Sequence, residues 1–347
     1  MKILYHIPNP DTIYAGRTIY HGYRNAFLDL GHEFRELTAD DHFSGTLDTY
    51  QPQVFITGLS HFSLKYIDLD VLHRHRQRGM KVLVNVPFWR SPLSPTRVNE
   101  SPSIATDRVF LDLLRHDRFG DVYFNSCEQD DERMAGFAEG TGRSYITVPL
   151  AADKTLIGKP PQDRFRADIS YIGTYLPEKR NYFRQYVLPL GKTFSLRLYG
   201  QDWTFQDRLL GWINRFGQYF NLPGLRSLQK PKLTLDEEAS VYASSVVCIN
   251  VHEEYQKKYG GECNERTFKI PLYGGFEVTD DVSCIRRYFR EDEEIVIARS
   301  SEEWLDKIRY YIEHPDKRDT IMRAGRTRVL QDHTYHRRVE QLLGSIT

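Results

Sequence analysis

The feature that most constrains this chain is an alternation. Short apolar runs rich in strand-forming residues alternate with amphipathic stretches over short loops. Residues 2–7, 32–37, 54–57, 81–86, 121–126 and 145–149 read as strands, and 20–30, 70–78, 108–116 and 129–138 as helices, with Gly31 and Gly79 where helix C-caps belong. A polar stretch without period, 151–166, contains Lys159-Pro160-Pro161 and reads as a boundary. The alternation then restarts. Strands are expected at 168–172, 194–199, 246–251 and 276–279, and helices at 178–187, 235–244, 265–273, 301–313, 320–331 and 335–343. Strands joined through helices must run parallel, and a parallel sheet needs both faces covered. The segment 204–232, rich in Arg, Phe, Trp and Gly, interrupts the second series and reads as an insertion or long loop.

The expectation is an α/β chain of two Rossmann-like, doubly wound parallel-sheet domains facing a cleft. Residues 1–152 form the first, 166–332 the second, and 333–347 a helix crossing back to the first. Ligands of such sheets bind beyond the C-terminal strand ends, which places the loops carrying Asp11, His61 and 87–95 on one edge. Lys and Arg total 47, and so do Asp and Glu. That balance excludes a histone-like, DNA-coating protein, because non-specific nucleic-acid binding draws on surplus cations. No run of 18 apolar residues is present, so no transmembrane segment is expected, and the N-terminus reads as a first strand rather than a secretory signal. Cys127, Cys248, Cys263 and Cys284 are scattered, with no CxxC spacing, which points to thiols in a reducing compartment and to no zinc site. The expected location is cytoplasmic, with peripheral attachment at the inner membrane face left open.

The segment most informative about chemistry is 260–280, GGECNERTFKIPLYGGFEVTD. A glycine-rich lead-in precedes a helix that carries Arg266, Thr267 and Lys269 near its start. Amides at a helix start, with a guanidinium able to donate two parallel hydrogen bonds, make an anion site. Gly274-Gly275 permits a tight turn and a close ligand. The plainer alternative is an amphipathic helix with solvated charges and a glycine cap.

The stretch NERTFKIPLYGGFEVTD, continuing through SEEWLDKIRYYIEHPDKRDTIMRAGRTRVLQDHTYHRR, resembles the C-terminal half of the CgeB/YkvP-like glycosyltransferases, a GT-B group related to glycosyl transferase family 1. The resemblance is carried by Asn264, Arg266, Phe268, Gly274, Gly275, Asp280, His314-Pro315, the run 320–325, His333-Thr334-Tyr335 and Arg338. VPLAAD (148–153), DISYIGTYLPEKR (168–180) and RLYGQDW (197–203) are similar to earlier parts of the family pattern. Residues 145–340 are covered; before them only the pattern agrees.

The resemblance implies a sugar moved from a nucleoside-diphosphate sugar of UDP, GDP or TDP type to a hydroxyl acceptor. That acceptor is a saccharide, a glycolipid, a small molecule or a modified nucleobase. No cofactor or metal is expected, since no DxD-like pair stands between apolar strand residues; protein cations would hold the leaving diphosphate. Donor-binding candidates are Gly173, Thr174, Arg180, Asn250, His252, Glu262, Glu265, Arg266, Thr267, Lys269, Gly274 and Gly275. Tyr199 and Trp203 can flank a base or sit in the core. One departure stands out: family-1 enzymes carry two glutamates eight residues apart here, whereas this chain has Gly261 and Lys269. Glu262 and Glu265, off that register, are the substitutes for a ribose contact.

In the first domain, Asp11 and His61 are candidates for the base an inverting mechanism requires, each with a turn or loop role as the alternative. Gly16, Arg17 and Arg90 are candidates for the acceptor side. A non-catalytic nucleotide-sugar or polysaccharide binder and a nucleotide-sugar epimerase share the expected architecture.

Overall fold

The computed structural model describes residues 1–10, 15–90 and 103–346. Two sheets carry it. Strands β1 (Lys2–His6), β2 (Glu33–Leu37), β3 (Val54–Gly58), β4 (Lys81–Asn85), β5 (Val122–Asn125) and β6 (Tyr145–Thr147) pair in parallel in the order β2-β1-β3-β4-β5-β6. Strands β7 (Ala167–Ile172), β8 (Leu196–Tyr199), β9 (Ser245–Asn250), β10 (Glu277–Asp280) and β11 (Val296–Ala298) pair in parallel in the order β11-β10-β9-β7-β8. The central strands are buried apolar runs because crossover segments cover both faces. Val54, Phe55 and Ile56 in β3, and Val247, Cys248 and Ile249 in β9, are all buried.

In each sheet the chain changes direction of winding once. The switch falls between β1 and β3 in the first sheet and between β7 and β9 in the second. At a switch the two crossovers leave to opposite sides, which opens a crevice outside the strand ends.

Five helices position the site and join the two sheets: α1 (Ala15–Asp29), α2 (Phe205–Tyr219), α3 (Leu235–Ser244), α4 (Arg266–Leu272) and α5 (Tyr335–Gly344). Helix α5 returns to the first sheet. Its Tyr335, Val339 and Leu342 share a core with Ile3, Phe27 and Val54. Gly22 of α1 makes this possible, since a Cβ there would stand 2.1 Å from the Tyr335 ring.

A second tie is ionic and buried. Arg133 donates to Asp131 and to Glu262 Oε1 (2.9 Å), and Ser126 donates to Glu262 Oε2. The Arg133 guanidinium also lies over the rings of Phe88, Tyr255 and Tyr259.

Two segments depart from the sequence expectation. Residues 129–138 form turns, with a helix only at Phe137–Thr141. Asp131 and Arg133 are drawn into the buried ion cluster instead of a helix surface, and Gly136 sits at φ +94°. Residues 204–232 are not merely a loop: they contain the 15-residue α2, started by Thr204, whose side chain accepts from the Asp207 amide.

Candidate functional site

A cleft of about 810 Å³ lies at the second sheet's switch point, with the start of α1 facing it from the first domain. Ile172, Gly173 and Thr174 enter it from the end of β7, Gly200 from the end of β8, and Glu253 from the loop after β9. Ala15, Arg17 and Thr18 of α1 face them from the first domain. Arg208, Trp212, Arg215, Phe216 and Tyr219 of α2 form a side wall. The backbone at Gly200 needs glycine: φ is +119°, and a Cβ would stand 2.3 Å from Gly173 O.

The lining is net cationic, with eight basic and five acidic side chains. Lys269 is neutralised by Glu238 at 2.5 Å. Lys232 is neutralised by Asp207 at 3.0 Å. Among the described residues, Arg17, Lys179, Arg180 and Arg266 have no carboxylate within 4.0 Å. Arg17 donates to Leu233 O. Arg180 lies over the Tyr175 ring, and its buried Nε has no partner.

Arg266 is the most constrained of these cations. Its Nε donates to Asn250 Oδ1 and its Nη2 to Val251 O, each at 3.0 Å. The remaining nitrogen, Nη1, stands 3.0 Å from the point a Cβ on Gly173 would occupy. A guanidinium held at two corners by carbonyl oxygens presents its third toward the Gly173 turn, and Glu265 and Glu253 act on its charge without a direct ion pair. Lys179 Nζ donates to the same Val251 O at 3.1 Å. Burial, then the neighbouring Arg266, pulls its ammonium down to about 8.

Behind this layer lies a polar support. Asn250 Nδ2 donates to Thr267 Oγ1 and Glu277 Oε1, and Asn264 Nδ2 donates to Asn250 Oδ1. His252 Nδ1 lies 2.7 Å from Asp280 Oδ1, and Nε2 lies 3.1 Å from Thr267 Oγ1. Burial lowers the His252 pKa, and burial raises the Glu277 carboxyl to about 8. Burial thus favours the protonated form of Glu277.

The sequence candidates separate accordingly. Gly173, Thr174, Arg180, Glu265, Arg266, Lys269 and Arg17 line the cleft. Asn250, His252 and Thr267 lie beneath it and orient the lining. Glu262 is taken up by Arg133 and Ser126. Gly274 caps α4 at φ +86°, and Gly275 abuts Ile270 and Cys248 in the core. His61 is exposed, pairs with Asp107 at 2.6 Å and stacks on Phe110, outside the cleft lining. Gly16 precedes Arg17 in α1; Arg90 is exposed and outside the lining. Asp11 lies outside the described residues. Trp203 stacks on Tyr175 and donates to Gly173 O, and Tyr199 meets Phe165 edge-on; neither lines the cleft.

Sequence reasoning missed Lys179 and Glu238 as cleft residues, while Glu253 stands at the strand end it expected to face the cleft. The first lies within the quoted motif 168–180, and a βα-loop lysine is a fair anion candidate. Glu238 had no signal beyond a helix first turn.

The fold recurs in solved structures. The chain resembles a sucrose-phosphate synthase from Thermosynechococcus elongatus at 13% identity, covering 100% of this chain and 99% of that one, with a TM-score of 0.63. An alpha-glucosyltransferase in complex with UDP and a 13-mer DNA containing an HMU base matches at 11% identity, with coverage of 100% and 99% and a TM-score of 0.64. HepE of Anabaena in complex with UDP-glucose matches at 12% identity, with coverage of 100% and 99% and a TM-score of 0.60. The chain has the GT-B fold. Residues 180–344 of this GT-B chain match the model of the family described as glycosyl transferase-like. That match spans α2 to α5, and so includes Arg180 and Arg266 but not the Gly173 turn of the GT-B cleft. No curated protein sequence matches the chain.

Proposed function

We propose that the protein is a glycosyltransferase of the CgeB/YkvP-like kind, moving a sugar from a UDP-type nucleotide sugar to a hydroxyl acceptor. The observation that carries this reading is the set of cations at the second sheet's switch point, Lys179, Arg180 and Arg266, unmatched by carboxylates among the described residues and set against the Gly173-Thr174 turn. The choice of UDP is supported by the relatives crystallised with UDP or UDP-glucose.

In this reading the second domain, 166–332, holds the donor; the first, 1–152, holds the acceptor; and 333–347 returns to the first. Arg266 Nη1, Lys179 and Arg180 meet the diphosphate, and the Thr174 amide approaches it from β7, the Gly173 amide being bonded to Tyr199 O. As the bond from anomeric carbon to phosphate oxygen breaks, negative charge grows on the leaving diphosphate. Cations fixed beforehand stabilise that charge more in the transition state than in the ground state. Protein cations thereby do the neutralising, without a required metal. Of the two glutamates proposed for the ribose, Glu265 is the one on the cleft. Burial would raise its carboxyl, but Lys269 and Arg266 hold it below the usual range, so it is ionised and able to accept from sugar hydroxyls. Arg17 and α2 face the acceptor side, and Asp11 remains the proposed base.

The test is a panel of UDP-, GDP- and TDP-sugars scored by thermal shift, followed by product analysis with and without acceptors in the presence of EDTA. UDP-sugar stabilisation and acceptor-dependent transfer that survives EDTA are expected. Binding without turnover across a broad panel, or conversion of the donor alone, would reject a transferase.

A further inference from the structure

Helix α2 is built inside out. Its buried residues are Asp207, Gly211, Asn214 and Gly217. Its apolar residues Phe205, Leu209, Trp212, Phe216, Tyr219 and Phe220 (the last just past its end) are exposed, Phe205 at 73% and Trp212 at 63%. At 3.6 residues per turn these fall on one stripe about 100° wide, opposite the buried face. A helix serving only the core turns its apolar stripe inward. Here glycine and asparagine do the packing: a Cβ on Gly211 would stand 2.9 Å from Asp202 Oδ1 and from Gln229 Oε1, and one on Gly217 would stand 2.5 Å from the Leu225 carbonyl carbon. The orientation is therefore fixed by close approach.

Charge narrows the partner. Between residues 204 and 232 the chain has five basic residues and one acidic residue, although the whole chain is neutral. The single acid, Asp207, is buried against Gln229 and Lys232, and Arg226 pairs with Asp40 of the first domain, which leaves Arg208, Arg215 and Lys230 as the cations of the segment outside these pairs. Arg208 and Arg215 flank the stripe on its cleft side. Aromatic and leucine side chains bordered by cations suit the boundary between headgroups and acyl chains of an anionic bilayer. The stripe is also continuous with the cleft, since Trp212, Phe216, Tyr219 and Phe220 line the cleft, Tyr219 stacking on Phe62 of the first domain, while Phe205 and Leu209 lie beyond it. No described helix is long and apolar enough to cross a membrane.

We propose that the N-terminal end of the α2 stripe, Phe205 and Leu209 with Trp212 at the cleft rim, docks the protein on an anionic bilayer, with the cleft opening beside the lipid surface. The consequence for the acceptor, a hydroxyl carried on a lipid, rests on the transferase reading; the docking does not.

The full-length chain is sedimented with phosphatidylcholine vesicles, with and without phosphatidylglycerol. The wild-type protein is expected to bind the anionic vesicles, more weakly at high salt, with a blue shift of tryptophan emission that Trp212→Phe removes. The double variant Phe205→Glu/Leu209→Glu alters only exposed positions outside the cleft lining. It is expected to lower the bound fraction at least about tenfold, since it places two charges on the inserted face. Its UDP affinity, measured without vesicles, should match the wild type, so a failure of docking and a failure of donor binding read out separately. A wild-type protein that stays in the supernatant with both vesicle types would overturn the proposal. So would a variant that binds vesicles equally well, or a concentration-dependent dimer abolished by the same substitutions without vesicle binding, which would assign the face to a second copy.

Discussion

Replacing Arg266 by alanine isolates the charge on which the donor site depends. The fold should tolerate the change. Asn250 Oδ1 keeps the hydrogen bond from Asn264, and Val251 O keeps the one from Lys179, so neither acceptor is orphaned. What disappears is Nη1, aimed at the Gly173 turn. One charge-assisted hydrogen bond to a phosphate is worth about 1.5–3 kcal/mol, which corresponds to a weakening of UDP binding by about 10- to 150-fold. Loss of the positive neighbour also lets the Lys179 pKa rise from about 8, so above that pH part of the charge is recovered and the lower end of the range is expected there. Turnover should fall further, by about 100- to 1000-fold, because the contact strengthens as the diphosphate leaves. Arg266→Lys should lie between, keeping charge but losing the two-corner anchoring. Calorimetric titration with UDP, beside a circular-dichroism melt, measures both terms. A folded Arg266→Ala protein that binds UDP within twofold of wild type would refute the assignment.

UDP affinity should also depend on pH through Lys179. Below pH 8 its ammonium is charged in the free protein, and above it the proton must be supplied on binding. Affinity should therefore fall with rising pH beyond about 8, by up to tenfold per unit, and Lys179→Met should flatten the profile. Glu277, raised by burial to about 8 from 4.5, holds an extra proton in the folded state between those values. Its contribution to stability is greatest below about pH 4.5 and is lost as pH passes about 8. Glu277→Gln should remove that slope in urea titrations run across pH, with little loss of stability at pH 6. Arg133→Met leaves Asp131 and Glu262 buried without their shared cation, and urea unfolding should show a loss of about 3–5 kcal/mol; a loss under 1 kcal/mol would mean the cluster does not hold the domains together.

The alternation of periods along the chain was enough for two parallel sheets, because strand and helix patterning is written in neighbouring residues. The Gly173 turn and Arg266 were both recognisable singly, one as a turn after a strand and the other as a cation at a helix start. Their meeting was not, since it depends on β7 and β9 lying side by side. Glu262 shows the limit most plainly. In sequence it stands beside the proposed ribose contacts, yet its partner is Arg133, 129 residues away, and a buried charge goes to whichever opposite charge the fold supplies. Residues 129–138 lost their expected helix to that same cluster. Helix α2 hid for a related reason: its glycines and asparagine look like loop residues until close packing gives them a task, and only then does its aromatic stripe face outward. Local pattern thus determined the elements and their order. Which charges are neutralised, which remain open and which apolar face is left uncovered were decided by tertiary packing, because each depends on distances between residues that the chain places far apart.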